Sequence, residues 1–440
     1  LPETLAALRR LRASGRQLIL ITGREMPELL TLFPEIELCD WVVGENGALL
    51  YQPSDGTLKI LAEPPPADFP LELRRRGVER LSVGHVIVAT WEPYEAIVLE
   101  VIRDLGLELQ VIFNKGAVMV LPTGVNKASG LRAVLQTMGL SRLNVVGIGD
   151  AENDHSFLQQ CGCAVAVANA IPSLQSEVDS VTAGDHGDGV IQIIDQLLAG
   201  DLQELDPVLT RHDIPLGVRS DGETFRISLF GPDVLFLGSP QATVAAAGFL
   251  KRLAAAGAQY CAIDPNGNFT TLPESITLGT AQRPPALEEV LPLLADPQKN
   301  AVVQLTGLNP SARPLFCSLL LSRLHELRGR TGHPHAILVH AAESLVPDTV
   351  GIAPSPLPQD GERLLLVTAG RNARSETAFS AIGVVVALGA AALALLQEFG
   401  RTRHQILPTV EDAVLAPDEA FVWLPQEKAL FRIRLAPSPI

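Results

Sequence analysis

Residues 144–154, Asn-Val-Val-Gly-Ile-Gly-Asp-Ala-Glu-Asn-Asp, constrain the fold of this chain more than any other stretch. The first half is apolar without alternation, the pattern of a strand buried on both faces of a parallel sheet. The second half is acidic and rich in amides, and it delivers Asp150 to the strand's C-terminal tip. A fold that hides both faces of a strand and exposes its tip is an α/β sheet covered by helices. In such open sheets the ligand site lies beyond the carboxyl ends of the strands.

The neighbouring segments repeat the pattern. Residues 1–12 read as a helix, 17–21 as a strand, 25–33 as a helix and 41–44 as a strand. After the 144–148 strand come a helix over 152–160, a strand over 164–167 and a closing helix over 190–198. An insertion at about 52–123 carries its own pattern: a turn-rich opening, a Pro run (Pro64, Pro65, Pro66), a strand (82–90), a helix (94–105) and two strands (108–113, 117–121). It reads as a small α/β cap. Residues 201–212 are polar and read as a linker. A second α/β domain is expected over 213–440, with strands at 234–237, 260–263, 302–305, 336–339 and 364–367, and helices at 242–256 and 313–328.

Length and composition agree with several cores. The chain has 440 residues, which fits two or three domains, and 47% hydrophobic against 19% charged residues argues against disorder. The net charge of −15 disfavours broad contact with nucleic acid. The densest basic cluster, Arg74 to Arg76, reads as a solvated helix face. The five cysteines form no Cys-x-x-Cys pair and sit mostly in apolar stretches, which predicts reduced, buried thiols and a cytoplasmic location. No signal peptide is visible. The chain opens directly on a helical pattern without Met, which reads as a fragment lacking upstream residues. The uncharged run 378–396 is long enough to span a bilayer. Its β-branched centre followed by an Ala/Leu stretch reads instead as a buried strand and helix, so no membrane partner is expected.

Three features fall in order at predicted strand ends. Thr22, Gly23 and Arg24 follow the first strand and open a helix, where a hydroxyl and backbone N–H groups can hold a phosphate. An N-cap with a tight turn is the plainer reading of these residues. Asn126-Lys127 opens the next long helix, and a lysine there opposes the helix dipole unless it faces an anion; a solvated surface lysine is the other reading. Asp150 to Asp154 cluster oxygen atoms at a strand tip, as Mg²⁺ requires.

Together these features resemble the second, third and fourth motifs of the haloacid dehalogenase (HAD) superfamily, in its Cof-like, type IIB branch. Further matches are Glu45-Asn46-Gly47-Ala48, Val167-Ala168-Asn169-Ala170 and the segment from Asp185 to Val190. The resemblance covers residues 1–200 and implies a Rossmann-like phosphatase core with a C2-type cap. It implies that Thr22 binds the transferring phosphoryl group, with Gly23 and Arg24 beside it. Lys127 would neutralise charge, Asp150 would ligate Mg²⁺, and Asn153 and Asp154 would hold the phosphate and orient Lys127. Asn46 and the cap would face a small, sugar-phosphate-like substrate.

One departure bears on activity. The family's first motif, Asp-x-Asp-Gly-Thr, supplies an attacking carboxylate and a general acid/base from a strand upstream of the opening helix. No Asp-x-Asp occurs in this chain. Asp55-Gly56-Thr57 imitates its tail but reads as a hairpin tip. This polypeptide alone is therefore expected to be inactive.

In the second domain, Gly238-Ser239-Pro240-Gln241-Ala242-Thr243 sits where a phosphate-binding loop would, but lacks the second Gly and the Lys. His340-Ala341-Ala342-Glu343 stands where an Asp-Glu pair would hold Mg²⁺. With Asp264-Pro265-Asn266-Gly267, the domain resembles a HerA-like P-loop ATPase with decayed motifs, so nucleotide binding is not expected. Two readings stay open for the whole chain: a Mg²⁺-dependent phosphomonoesterase, or a non-catalytic binding or regulatory protein. A nucleic-acid motor is disfavoured by the charge and the missing lysine.

Overall fold

The structure, a computed structural model, describes residues 2–269, 272, 274–345, 364–369, 382–409 and 414–437. The chain divides into two compact units, Leu1–Val208 and Leu209–Ile440.

The first unit opens with α1 (Pro2–Ala13), which has Pro at its start, Glu3 in its first turn, and Arg10 and Arg12 in its last. Each suits its end of the helix dipole. Then follow β1 (Ile19–Ile21), α2 (Met26–Leu32), β2 (Trp41–Gly44), β3 (Leu49–Gln52) and β4 (Thr57–Ile60). The next elements are α3 (Asp68–Arg75), β5 (Ser82–Val83), β6 (Val88–Trp91), α4 (Glu95–Asp104), β7 (Leu109–Asn114) and β8 (Ala117–Pro122). The chain then forms α5 (Lys127–Met138), β9 (Val146–Gly149), α6 (His155–Leu158), β10 (Cys163–Ala166), α7 (Pro172–Gln175), β11 (Ser180–Val181) and α8 (His186–Gly200).

The core strands form two sheets rather than the single parallel sheet expected. One has the order β1-β2-β3-β4, the other β11-β10-β9. β1 pairs in parallel with β2, and β9 in parallel with β10. Among the described residues, neither β1 nor β9 has a partner on its other edge. Ile19, Leu20, Ile21 and Ile148 are correspondingly only half-buried. Both sheets nevertheless share one apolar cluster, in which Val43, Ala164 and Ala166 meet Leu131, Val134 and Leu135 of α5.

The cap differs from expectation at its start. Residues 49–60 form an antiparallel hairpin on β2 and so extend the core sheet. Asp55 takes the tip of that hairpin, accepting the Thr57 N–H at 2.9 Å. The separate module carries the sheet β5-β6-β8-β7. Its core packs Phe69 and Leu73 of α3, and Val98 and Val101 of α4, on Val88, Val118 and Val120. Each fully buried side chain of this kind contributes about 2 kcal/mol. The expected strand over 82–90 is broken into β5 and β6. The expected linker is also partly regular, since Gln203–Val208 form a 3₁₀ helix.

The second unit comprises β12 (Ile214–Arg219), β13 (Thr224–Ile227), β14 (Asp233–Leu237), α9 (Gln241–Ala255), β15 (Tyr260–Asp264), β16 (Ser275–Leu278), α10 (Leu287–Leu294), β17 (Asn300–Gln304) and α11 (Arg313–Thr331). It continues through β18 (Ala336–His340), α12 (Ala342–Leu345), β19 (Leu364–Thr368), β20 (Ile382–Leu388), α13 (Ala392–Thr402), β21 (Glu419–Leu424) and β22 (Ala429–Leu435). The described strands form one sheet in the order β13-β12-β22-β21-β20-β14-β19-β18-β15-β17-β16. Strands from β20 to β16 in that order are mutually parallel, whereas β21, β22, β12 and β13 join antiparallel. Of the uncharged run 378–396, residues 378–381 lie outside the described residues; the rest forms β20 and the start of α13. No helix among the described residues is long and apolar enough to cross a membrane. All five cysteines are free and buried.

At the end of β15 the Asp264 carboxylate is fully buried and accepts the N–H groups of Asn266, Gly267 and Phe269 at 2.8–3.0 Å. Burial alone would raise its pKa, but hydrogen bonds from His340 and the backbone outweigh that, and the carboxyl sits below its ordinary 3.8. A depressed folded pKa means stability that is present above the unfolded value and lost as pH falls through the folded one. We therefore expect the second unit to lose stability steadily below about pH 4, and the slope to flatten in Asp264→Asn. Hydrogen exchange of the β15 and β18 amides across that range checks this; equal slopes would refute it.

Candidate active site

The site of the first unit is assembled at the C-terminal ends of β1, β2 and β9 and the start of α5. Each contribution has a local cause. After β1, Thr22 donates its N–H to Val43 O (2.9 Å) and its Oγ1 accepts the Arg24 N–H (3.1 Å). After β2, Glu45, Asn46 and Gly47 all take left-handed backbone angles. That sharp turn brings the Asn46 N–H onto Thr22 O at 2.9 Å.

Helix α5 starts through a reciprocal cap. Asn126 Oδ1 accepts the Ser129 N–H at 2.9 Å, and Ser129 Oγ accepts the Asn126 N–H at 3.0 Å. Lys127 follows in the first turn and is buried, with 7% exposure. A buried cation at the positive end of a helix is doubly unfavourable without an anion. Asp154 is that anion: its Oδ1 lies 2.5 Å from Lys127 Nζ.

Asp154 organises the β9 tip as well. Its Oδ2 accepts the N–H groups of Asp150 and Ala151 at 2.9 and 3.0 Å. Both carboxylate oxygens are thereby engaged. The expected cluster of metal-binding oxygens is accordingly narrower than its sequence: Asp154 is spent on Lys127 and the backbone, Asn153 is turned to Asn46, and Glu152 is exposed. Asp150 is half-buried, and its Oδ2 is paired with Lys115 of the cap. Among the described residues, no three His, Cys, Asp or Glu side chains form a metal-binding group. One carboxylate is compatible with Mg²⁺, which keeps waters and takes phosphate oxygens.

The strand ends converge on one place. Asn153 Nδ2 donates to Asn46 Oδ1 at 3.0 Å, and both side chains are buried. The remaining amide atoms of this pair, Asn46 Nδ2 and Asn153 Oδ1, are buried with no hydrogen-bond partner within the protein. Both amides and Met119 of the cap surround Gly23, where an added Cβ would lie 3.3 Å from the Met119 sulfur and 3.7 Å from Asn153 Nδ2. Two hydrogen-bonded sets result, Thr22–Asn46–Asn153 with Gly23 against the two amides, and Lys127–Asp154–Asp150, and they adjoin through the neighbouring residues Asn153 and Asp154. Arg24 joins only through its backbone N–H on Thr22, since its guanidinium pairs with Glu28 one turn along α2.

Two residues that the sequence reading left without a role connect the cap to this neighbourhood. The fully buried Glu45 carboxylate accepts the N–H groups of His85, Val86 and Ile87 at 2.7–3.0 Å. Gly84 permits this approach, because a Cβ there would meet Glu45 Oε1 at 2.7 Å. At the tip of the β7–β8 hairpin, Lys115 Nζ lies 2.6 Å from Asp150 Oδ2. The sequence carried one signal for this tip: Asn114-Lys115-Gly116 between two apolar strands is a hairpin turn.

In the second unit, the expected loop and strand-end residues contact one another directly. His340 Nε2 lies 3.1 Å from Thr243 Oγ1, and His340 Nδ1 lies 3.5 Å from Asp264 Oδ1.

Comparison with known proteins addresses the first unit. The sequence profile of the haloacid dehalogenase-like hydrolases matches residues 1–63 and 85–194. A phosphoglycolate phosphatase of Methanothermobacter thermautotrophicus is 30% identical over 200 residues, 44% of this chain and 88% of the relative. That of Sulfolobus acidocaldarius is 29% identical over 205 residues, 46% of this chain and 89% of the relative. The crystal structure of a haloacid dehalogenase-like hydrolase from Bacteroides thetaiotaomicron is 17% identical, with a TM-score of 0.40, and covers 45% of this chain and 92% of that one.

Proposed function

Over its N-terminal part the chain belongs to the haloacid dehalogenase-like hydrolases, and from that premise we propose that its first unit is a Mg²⁺-dependent phosphomonoesterase site for small metabolites. The observation that carries the reading is Asp154, which ties the buried Lys127 and the backbone of Asp150 into one charged assembly. Lys127 neutralises the phosphoryl oxygens, and Thr22, Gly23 and Asn153 hold them. Asp154 is a positioning residue. Asp150 holds Mg²⁺, which supplies Lewis-acid polarisation of the phosphoryl group when bound. A sugar phosphate was the substrate class expected from sequence. The relatives' name adds phosphorylated carboxylic acids to it.

No Asp-x-Asp pair stands among these 440 residues, so the reading assigns the attacking carboxylate to none of them. We propose that an Asp-bearing strand can supply it by pairing in parallel with the edges of β1 and β9, which have no partner among the described residues. The test joins such a strand, ending in Asp-x-Asp-Gly-Thr, to the N-terminus through a flexible linker. With p-nitrophenyl phosphate and Mg²⁺, the extended protein is expected to turn over and to lose that activity with Asp150→Asn, while the chain alone stays inactive. Turnover by the chain alone, abolished by Asp150→Asn, would defeat the strand requirement. A folded but inert extended protein would defeat the phosphatase reading.

A second reading, in which the chain acts as a binding or regulatory protein, draws on the contacts of the second unit. The second unit fits that role. Its loop has Pro240 and no lysine, and His340 contacts Thr243 where a P-loop ATPase of the HerA type would place a metal-binding carboxylate. The buried free thiols fit a reducing compartment such as the cytoplasm.

A further inference from the structure

The parallel sheet of the second unit holds three side chains at its strand ends that the phosphatase site does not use. Asp264 ends β15, His340 ends β18, and Thr243 lies in the first turn of α9. β18 and β15 are parallel neighbours. The next strand in sequence after β18 is β19, on one side; after β15 it is β16, on the other. In open α/β sheets such a switch point is where ligands bind, beyond the carboxyl ends of the strands.

The contacts of His340 assign its proton to one nitrogen. Nδ1 lies 3.5 Å from Oδ1 of the buried Asp264, a long contact. Asp264 is ionised at neutral pH, since its carboxyl sits below the ordinary 3.8, and an ionised carboxylate only accepts. The proton therefore belongs on Nδ1. Nε2 is left bare and meets two donors, Thr243 Oγ1 at 3.1 Å and the Asn268 side-chain amide at 3.4 Å. Phe269 packs edge-on to the imidazole, with 5.3 Å between ring centroids. Asp264 is buried, whereas Thr243 is half-buried and Asn268 exposed, so the Nε2 side is the one nearer solvent.

A buried carboxylate, a base and a reachable hydroxyl in that order are the parts of nucleophilic acyl transfer. We propose that Thr243, His340 and Asp264 form a second active site, which hydrolyses uncharged carboxylic esters. Thr243 Oγ1 bonds to the carbonyl carbon while its proton passes to His340 Nε2. Asn268 is the amide at hand for the carbonyl oxygen as it gains charge. His340 returns the proton to the leaving alcohol as the ester C–O bond breaks, and Thr243 keeps the acyl group. Water then attacks that acyl carbon, again giving its proton to Nε2, and His340 passes it to Thr243 Oγ1 as the acid leaves. Asp264 is a positioning residue that holds the tautomer and offsets the imidazolium charge. An uncharged substrate fits, because among the described residues no lysine or arginine is bonded to any of these four side chains.

The test incubates the full chain with p-nitrophenyl acetate in EDTA, which removes any Mg²⁺ chemistry of the first unit. Turnover above buffer is expected, with an acetyl group on Thr243 in the acid-quenched protein, read by peptide mass spectrometry. Thr243→Val keeps the shape without the hydroxyl; it is expected to lose the adduct and about a hundredfold or more of kcat/KM. Thr243→Ser is expected to retain turnover. His340→Ala is expected to lose as much as Thr243→Val, and the double variant no more, because the two act as a unit. Asp264→Asn is expected to move the midpoint of the pH–rate profile downward, since a negative charge beside the imidazole is gone; partial unfolding lowers the rate without moving that midpoint. A folded chain with no turnover above buffer and no adduct on Thr243 would overturn the inference, as would turnover that persists in Thr243→Val.

Discussion

Replacing Asp154 with Ala is expected to destabilise the first unit by about 3–5 kcal/mol, the loss typical when one partner of a buried ion pair is removed. Two consequences add. Lys127 keeps its charge in a buried position at the positive end of α5, and the N–H groups of Asp150 and Ala151 lose their acceptor. Asp154→Asn keeps an acceptor oxygen but not the charge, so it is expected to fall between wild type and Ala. The decisive control is the double variant Lys127→Met, Asp154→Leu. Removing both charges together is expected to cost less than Asp154→Ala alone, because no buried ion is then left unpaired. Urea denaturation followed by hydrogen exchange at α5 measures these differences. A loss under about 1 kcal/mol in Asp154→Ala would mean that Lys127 reaches solvent and that the pair does not organise the site.

Gly47→Ala is expected to be nearly as severe, for a reason of shape rather than charge. Gly47 has φ of +103°, and a Cβ there would lie 1.9 Å from Asn126 O and 2.5 Å from its carbonyl carbon. Neither atom is a flexible side-chain end. Both belong to the N-cap that starts α5, so relief requires the helix start to move and Lys127 with it. Backbone strain together with overpacking gives an expected loss of about 3 kcal/mol or more. Phosphate affinity should fall alongside stability, which separates this effect from simple loosening of the core. Gly130→Ala provides a graded comparison, since its Cβ would meet the Val43 side chain at 2.4 Å and the Gly47 backbone at 2.7 Å. A Gly47→Ala protein as stable as wild type, with unchanged protection of residues 127–131, would show that the turn after β2 does not hold the helix start.

The cap is held by a different kind of contact. Glu45 is separated from its three backbone donors by 40–42 positions, and Lys115 from Asp150 by 35. Nothing in the residues next to Glu45 or Lys115 announces those partners. The strand edges carry a similar lesson. Apolar residues at 19–21 and 146–148 read as strands buried on both faces, yet all but Gly147 are partly exposed, at edges that have no neighbour among the described residues, which the pattern of one segment cannot report.

The sequence by itself determined the α/β alternation, the strand tip that presents Asp150, the helix opening on Asn126-Lys127 and the hairpin tip at Asp55. These follow from hydrophobic period, capping chemistry and turn preference, which act within a few residues. Only the tertiary structure decided how the site's side chains are spent. It commits both oxygens of Asp154, turns Arg24 to Glu28, buries Glu45 under the cap and brings Lys115 to Asp150. The physical reason is that a side chain's polar partner is chosen by desolvation and distance in the folded chain. Those quantities exist only once segments far apart in sequence have packed together.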